Sequence, residues 1–310
     1  MADELFVADG HVDLLYDLER RGLTQDFAHL RQGPVTPETL AAGGVRLLVC
    51  ALYCEDVFNG PGTALARLEE LRRRADGQLA ALARVRRRDD LGNLEAPAAM
   101  FLLENGDALL DADLDALQAW GLKVVGLTHA GRNRLADGNG VAVPEGLSAA
   151  GRGLLRALAR RGWIIDTAHL SAPAFGEVVR DYPGALICSH TGLRPFCDRQ
   201  RNLSEWQAAA LIERGGIIGL TLAPEMLNGG TRAARADLVP QIDWLVQRFG
   251  WQVVALGSDY GGFDGVCAGL ESYAHWPLLA ADLQALGYPE EAVAGILGEN
   301  WRRFYRETLP

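Results

Sequence analysis

His11-Val12-Asp13 places an imidazole and a carboxylate two residues apart. In an extended segment residues at that spacing point to the same side, so both could reach one metal ion. Imidazole nitrogen and carboxylate oxygen are donors that suit zinc. The bland alternative is that Asp13 caps a following helix and His11 is an ordinary loop histidine. Glu104 closes the apolar run Phe101-Leu102-Leu103. A carboxylate there is costly unless an arginine pairs with it or a metal binds it. His169 and His190 each follow an apolar run. Either could be a core or capping histidine, but with Glu104 they form a set of two nitrogens and one oxygen that leaves a position for water. His129 could be a further ligand or an electrophile facing a substrate. Asp259 could be a ligand, a proton shuttle or a helix cap. Beyond His190 stand Arg194, Arg199 and Arg201. Arginine grips carboxylates in a two-pronged fork, although a surface ion pair is the ordinary role for any one of them. His29 and His275 read as surface or packing residues.

These side chains need elements to position them. Apolar, β-branched-rich runs recur at Leu5–Ala8, Val45–Tyr53, Ala99–Leu103, Lys123–Thr128, Trp163–Thr167, Ala185–Ser189, Gly216–Thr221 and Val253–Gly257. Short continuous runs suit strands buried on both faces. The stretches between them read as helices. Ser148–Arg161 is one, with a Ser148 cap and Leu154, Leu155 and Leu158 on one face. Ser204–Arg214 is another, and Ala64–Asp90 reads as one long helical region whose arginines face solvent. Eight strands alternating with helices predict an α/β fold, a TIM-like (β/α)8 barrel, as a single domain over residues 1–310. An open doubly wound sheet is the rival, but no Gly-x-Gly-x-x-Gly follows the first run, which leaves a dinucleotide fold without support. Asp137–Pro144 and Gly229–Gly230 read as surface loops. In a barrel the ends of all strands meet at one mouth, where such folds carry their active sites. Four of the six histidines fall at run ends.

Composition narrows the partners. A formal net charge of −10 argues against nucleic acid. Met1–Gly10 has no basic, apolar leader pattern, and no apolar stretch reaches the ~18–20 residues of a membrane span. A cytoplasmic protein that binds no membrane is the expectation. The five cysteines are odd in number and scattered, so buried free thiols are expected; Cys50 and Cys54 have no second pair to complete a metal knuckle. Lys123 is the single lysine. Many two-metal barrel hydrolases bridge their ions with a modified lysine, but Lys123 starts its strand, at the wrong end of a barrel. A Glu104 bridge removes that difficulty.

Taken in order, Asp9-Gly10-His11-Val12-Asp13, Leu103-Glu104, Leu127-Thr128-His129, Ala136-Asp137-Gly138, Gly146-Leu147-Ser148, Ile165-Asp166-Thr167-Ala168-His169-Leu170-Ser171, Ser189-His190-Thr191, Arg201-Asn202, Gly257-Ser258-Asp259 and Ile296-Leu297-Gly298-Glu299-Asn300 carry a resemblance across nearly the whole chain. The sequence resembles the renal or membrane dipeptidases, zinc peptidases of family M19 in the metallo-dependent hydrolase superfamily. The resemblance implies two Zn2+ per chain and a small dipeptide substrate, L-Xaa-D-Xaa as well as L-L. His11 and Asp13 would hold one zinc, His169 and His190 the other, and Glu104 would bridge them. A metal-bridging hydroxide would attack the peptide carbonyl. His129 would polarise that carbonyl, Arg201 would grip the substrate carboxylate, and Asp259 would transfer a proton and face the amino end. The family also tends to form homodimers.

Two segments depart from the family pattern. Asn105 stands where a glycine usually follows the glutamate, and Tyr260–Gly265 is longer than the usual Asp-Phe-Asp-Gly. The second departure leaves Asp264 as a rival to Asp259, which is favoured because it directly follows its strand. Other readings on the same barrel are an amide or lactone hydrolase, a deaminase, or a non-catalytic zinc-binding barrel. Deaminases and lactonases typically carry His-x-His, and lactonases often a bridging lysine.

Overall fold

Eight parallel strands carry the apolar runs: β1 (Val7–Val12), β2 (Val45–Tyr53), β3 (Ala98–Glu104), β4 (Leu122–Gly126), β5 (Ile164–Asp166), β6 (Leu186–Thr191), β7 (Ile217–Leu220) and β8 (Val254–Leu256). They pair in that order, each parallel to the next. Helices return the chain between them, as parallel pairing requires. The computed structural model describes residues 5–92 and 94–310. Residues 1–4, part of the segment read for a leader, and residue 93 lie outside the described residues.

The strands are apolar on both faces because each face meets a core. In β2, Leu47 and Val49 join an inner cluster, while Leu48, Cys50 and Leu52 join the layer under the helices. Met100, Leu102, Val124, Ile164 and Ile187 continue the inner cluster around the ring. Trp301 and Tyr305 stack on one another and plug it from the C-terminal helix Asn300–Thr308. All five cysteines are free and buried.

Among the described residues no ladder joins β1 to β8; a single bridge, Val12 to Tyr260, closes the ring. Backbone bonds at the rim seal this junction: Asp259 N–H to His11 O and Asp13 N–H to Tyr260 O, both 2.9 Å. Beneath them the buried Asp9 carboxylate accepts from Ser258 N–H at 2.7 Å, from Tyr273 Oη–H at 2.6 Å, and from the Ser258 hydroxyl. Charge-assisted bonds of this kind are the strong ones.

Close approach fixes two glycines. A Cβ on Gly219 of β7 would lie 2.0 Å from the Ser189 carbonyl oxygen, and one on Gly257 would lie 1.9 Å from it. Gly257→Ala must displace backbone, and the expected cost is about 1–3 kcal/mol of overpacking. A urea titration of the metal-free protein measures it; an unchanged midpoint would show that the ring relaxes freely.

Three expectations change. The helix read over Ala64–Asp90 stops at Gln78, as Thr63–Gln78. Leu79, Leu82 and Val85 have helix-like spacing, but the chain there turns back onto the sheet: Ala83–Arg84 pairs with β3, and Val85 N–H bonds Ala99 O at 2.9 Å. The arginines of this helix are not all solvated. Arg67 is buried and donates to Glu19, Glu55 and Glu70. Finally, the loop Asp137–Pro144 begins buried, because Asp137 and Gly138 tuck under the mouth and Asn139 N–H bonds His169 O at 2.7 Å.

Candidate metal centre and pocket

The strand ends bring the chemistry-bearing residues together at one mouth. Glu104, the last residue of β3, lies between two groups. On one side its Oε1 sits 2.8 Å from His169 Nε2 and 3.7 Å from His190 Nε2. On the other its Oε2 is 3.8 Å from His11 Nε2, which is 3.3 Å from Asp13 Oδ2. Ligand atoms of Glu104, His169 and His190 lie within 4.8 Å of one another, as do those of His11, Asp13 and Asp259. Both groups could hold a metal ion. A third grouping of His11, Asp166 and His190 meets the same limit, but the Ser189 hydroxyl fills its centre.

Irregular backbone aims these side chains. The β1–β2 register shifts between Asp9 and Val12, and the β6–β7 register shifts between Cys188 and Thr191. Each shift is an extra residue in a strand, a bulge that turns His11 or His190 toward the mouth. Asn105, His169 and Asp259 have φ of 69°, 65° and 63°. Among the described residues they are the non-glycine positions in the left-handed region, and all three follow barrel strands at this site. Neither feature is visible in a residue pattern.

The electrostatics fit a cation. Burial would depress His11, but Asp13, Glu104 and Asp259 carry it up to about 10. A proton on His11 therefore partly neutralises an excess of negative charge. Burial would raise Glu104, yet His169 and the other imidazoles hold it well below the usual carboxylate range. Burial, with Arg201 and other cations nearby, pushes His169 and His190 well below an ordinary histidine. Both are thus neutral imidazoles, the form that ligates metals. His11 Nε2, Asp13 Oδ1 and His169 Nδ1 are buried without a hydrogen-bond partner among the described residues. Buried polar atoms are rarely left so, and a cation between the two groups would satisfy the first two.

The two groups floor a pocket of about 320 Å³, whose walls include Tyr16, Tyr53, His129, Arg201, Asp259 and Phe263. His129 lies against His169 with its ring tilted, centroids 4.4 Å apart, and its Nδ1 lies 3.3 Å from Tyr53 Oη and 3.5 Å from Asp56 Oδ2. Burial opposes a charge on His129, but Asp56 and Glu104 raise it above its ordinary value. Arg201 donates to His190 O at 2.9 Å and lines the pocket. Burial, then the neighbouring Asp13, push Asp259 well above an ordinary carboxyl.

All eight residues read as ligand, catalytic or substrate-binding candidates meet here: His11, Asp13, Glu104, His129, His169, His190, Arg201 and Asp259. Asp264 does not; it is 89% exposed and pairs with Arg20 at 2.9 Å. Arg194 pairs with Asp198 on the surface. Lys123 is buried in β4, and burial lowers it. Sequence reasoning passed over Asp56 and Tyr53, and treated Ser189 and Asp166 only as parts of motifs. Asp56 carried no signal, since it reaches His129 across a long stretch of chain.

The membrane dipeptidase family, peptidase family M19, has a model that matches residues 1–309. The chain belongs to this family. Dipeptidase aclJ of Aspergillus oryzae is 29% identical over 58% of this chain and 44% of its own length. Dipeptidase 3 of Mus musculus is 24% identical over 97% of this chain and 64% of its own length. The chain thus spans less than two thirds of either curated relative. A metallo peptidase of Rhodobacter sphaeroides, solved with a phosphinate mimic of the dipeptide L-Ala-D-Ala, shares the fold with a TM-score of 0.84. It is 23% identical, with 98% of this chain and 99% of that one covered. Among the described residues no helix is long and apolar enough to cross a membrane.

Proposed function

We propose that this M19 family member is a two-zinc dipeptidase. The observation that carries the reading is the placement of Glu104 between two ligand groups, His11 with Asp13 and His169 with His190. Two zinc ions, when bound there, acidify water toward neutrality and polarise the scissile carbonyl. Everything else falls to side chains. Arg201 meets the substrate's C-terminal carboxylate, which sets the register of the peptide bond over the floor. His129, raised by Asp56, donates toward the carbonyl oxygen as negative charge develops, a term worth ~3 kcal/mol per donor. Asp259, whose burial favours holding a proton, delivers one to the leaving amine. Tyr16, Tyr53 and Phe263 give the pocket its apolar wall.

The reading takes 1–310 as one domain acting in the cytoplasm. It admits a D residue at the C-terminal position, because the Rhodobacter relative was solved with an L-Ala-D-Ala mimic. Homodimerisation rests on the family resemblance. The lactonase and deaminase alternatives gain no support, since Asp13 replaces the second histidine and Lys123 lies at the far end of its strand.

Metal analysis and a panel of L-L and L-D dipeptides, each as free acid and C-terminal amide, test the reading together. The expected result is two zincs per chain and turnover of free dipeptides. Arg201→Ala should raise KM for the free acid about 10–100-fold, the worth of a charged hydrogen bond, and narrow the gap to the amide. A fully loaded protein that cleaves no dipeptide would move the substrate elsewhere.

A further inference from the structure

Ser189 sits behind the metal groups rather than in the pocket, and it is fully buried on β6. Its Oγ is 2.5 Å from Asp166 Oδ2, 3.1 Å from His11 Nδ1 and 2.8 Å from His190 Nδ1. His11 and His190 belong to different halves of the proposed centre. Their rings lie side by side, with centroids 3.7 Å apart. One hydroxyl therefore touches the rear nitrogen of a ligand from each half.

Hydrogen counting gives this contact its meaning. A serine hydroxyl has one hydrogen and two lone pairs. Asp166 Oδ1 already accepts from Ala168 N–H at 3.1 Å and Ser189 N–H at 2.8 Å, so the carboxylate is fixed as an acceptor facing the hydroxyl. The serine hydrogen goes to Asp166 Oδ2. Both lone pairs remain, one for each imidazole, and each imidazole must then carry its hydrogen on Nδ1. Both Nε2 atoms are left to face the mouth. The glycines at 219 and 257 let two neighbouring strands close on the Ser189 backbone, which holds the hydroxyl in place.

We propose that Ser189, backed by Asp166, is a positioning residue shared by both metal sites, orienting His11 and His190 through a single hydroxyl so that the two ions are bound interdependently. The inference rests on the two-metal reading above. Partners behind metal-bound histidines fix ring orientation and basicity, and their loss typically costs 10–100-fold in metal affinity. Here one substitution should reach both ions.

The first test uses the unaltered, metal-free chain. Long-range ¹H–¹⁵N NMR of the histidine rings, recorded above the pH at which His11 gives up its second proton, is expected to show a proton on Nδ1 of both His11 and His190. A bare Nδ1 on either ring overturns the proposal. The second test titrates Co2+ into the metal-free protein and follows its absorption. Ser189→Ala should weaken both binding steps, each about 10–100-fold. Asp166→Asn keeps the shape but puts an N–H donor where the carboxylate accepted. The serine hydrogen must then turn onto one imidazole, and one step should weaken alone. Ser189→Ala binding both ions as tightly as the unaltered chain, or losing one only, overturns the proposal. If the unaltered chain takes up no Co2+, the two-metal reading has failed, and the ring protons still decide whether Ser189 orients both histidines.

Discussion

Glu104→Gln is expected to lose at least one of the two metals and more than about 100-fold in kcat/KM, beyond what an outer hydrogen-bond partner typically costs. The substitution keeps shape and volume but replaces one carboxylate oxygen with an N–H2 donor. One oxygen faces His169 and His190 and the other faces His11. Whichever way the amide turns, one half of the centre then meets a donor where it needs a lone pair. The charge goes as well: Glu104 is held ionised by the imidazoles around it, against the effect of its burial. Elemental analysis and steady-state kinetics on the same preparation measure the two losses. A variant that kept both metals and its activity would remove Glu104 from the bridging role and with it the reason for a two-ion centre.

Asp259→Asn is expected to keep both metals while kcat falls about 10²–10⁴-fold, the range general acid–base groups supply. KM should move little, because the asparagine still fills the wall of the pocket. Asp264→Asn is the matched control. It breaks a surface pair with Arg20 and should leave kcat unchanged. The opposite pattern would return the catalytic role to Asp264 and make the long Tyr260–Gly265 loop part of the chemistry. Loss of metal from Asp259→Asn would make Asp259 a ligand beside His11 and Asp13, with which it groups.

Much of this arrangement was legible in the residues. Continuous apolar runs announced buried parallel strands, and the histidines and acids stood at their ends because a barrel presents those ends at one mouth. The limits are physical too. The acid-basic charge pattern runs on past Gln78 into a segment that turns back along the sheet, so charge alone misplaced the end of the Thr63–Gln78 helix. Arg67 looked like its solvated neighbours because charge in a sequence carries no depth. The bulges beside His11 and His190, and the left-handed backbone at His169 and Asp259, belong to tertiary closure. Ser189 is the sharpest case. Nothing distinguishes it from other serines until His11, from a strand across the barrel, meets its hydroxyl beside the adjacent His190.

The Asp9 carboxylate at the β1–β8 junction divides the molecule by how freely it can drift. Asp9 ties Ser258 to β1, and His11 and Asp259, which soon follow on either side of the junction, enter the mouth. Evolution therefore cannot trade stability against chemistry along this rim, because the same bonds supply both. The freedom lies in the pocket's upper wall, in Tyr16, Met226 and Phe263, which take no part in those carboxylate bonds. A lineage could reshape the pocket by rewriting those few side chains, while the ring beneath them stayed as it was.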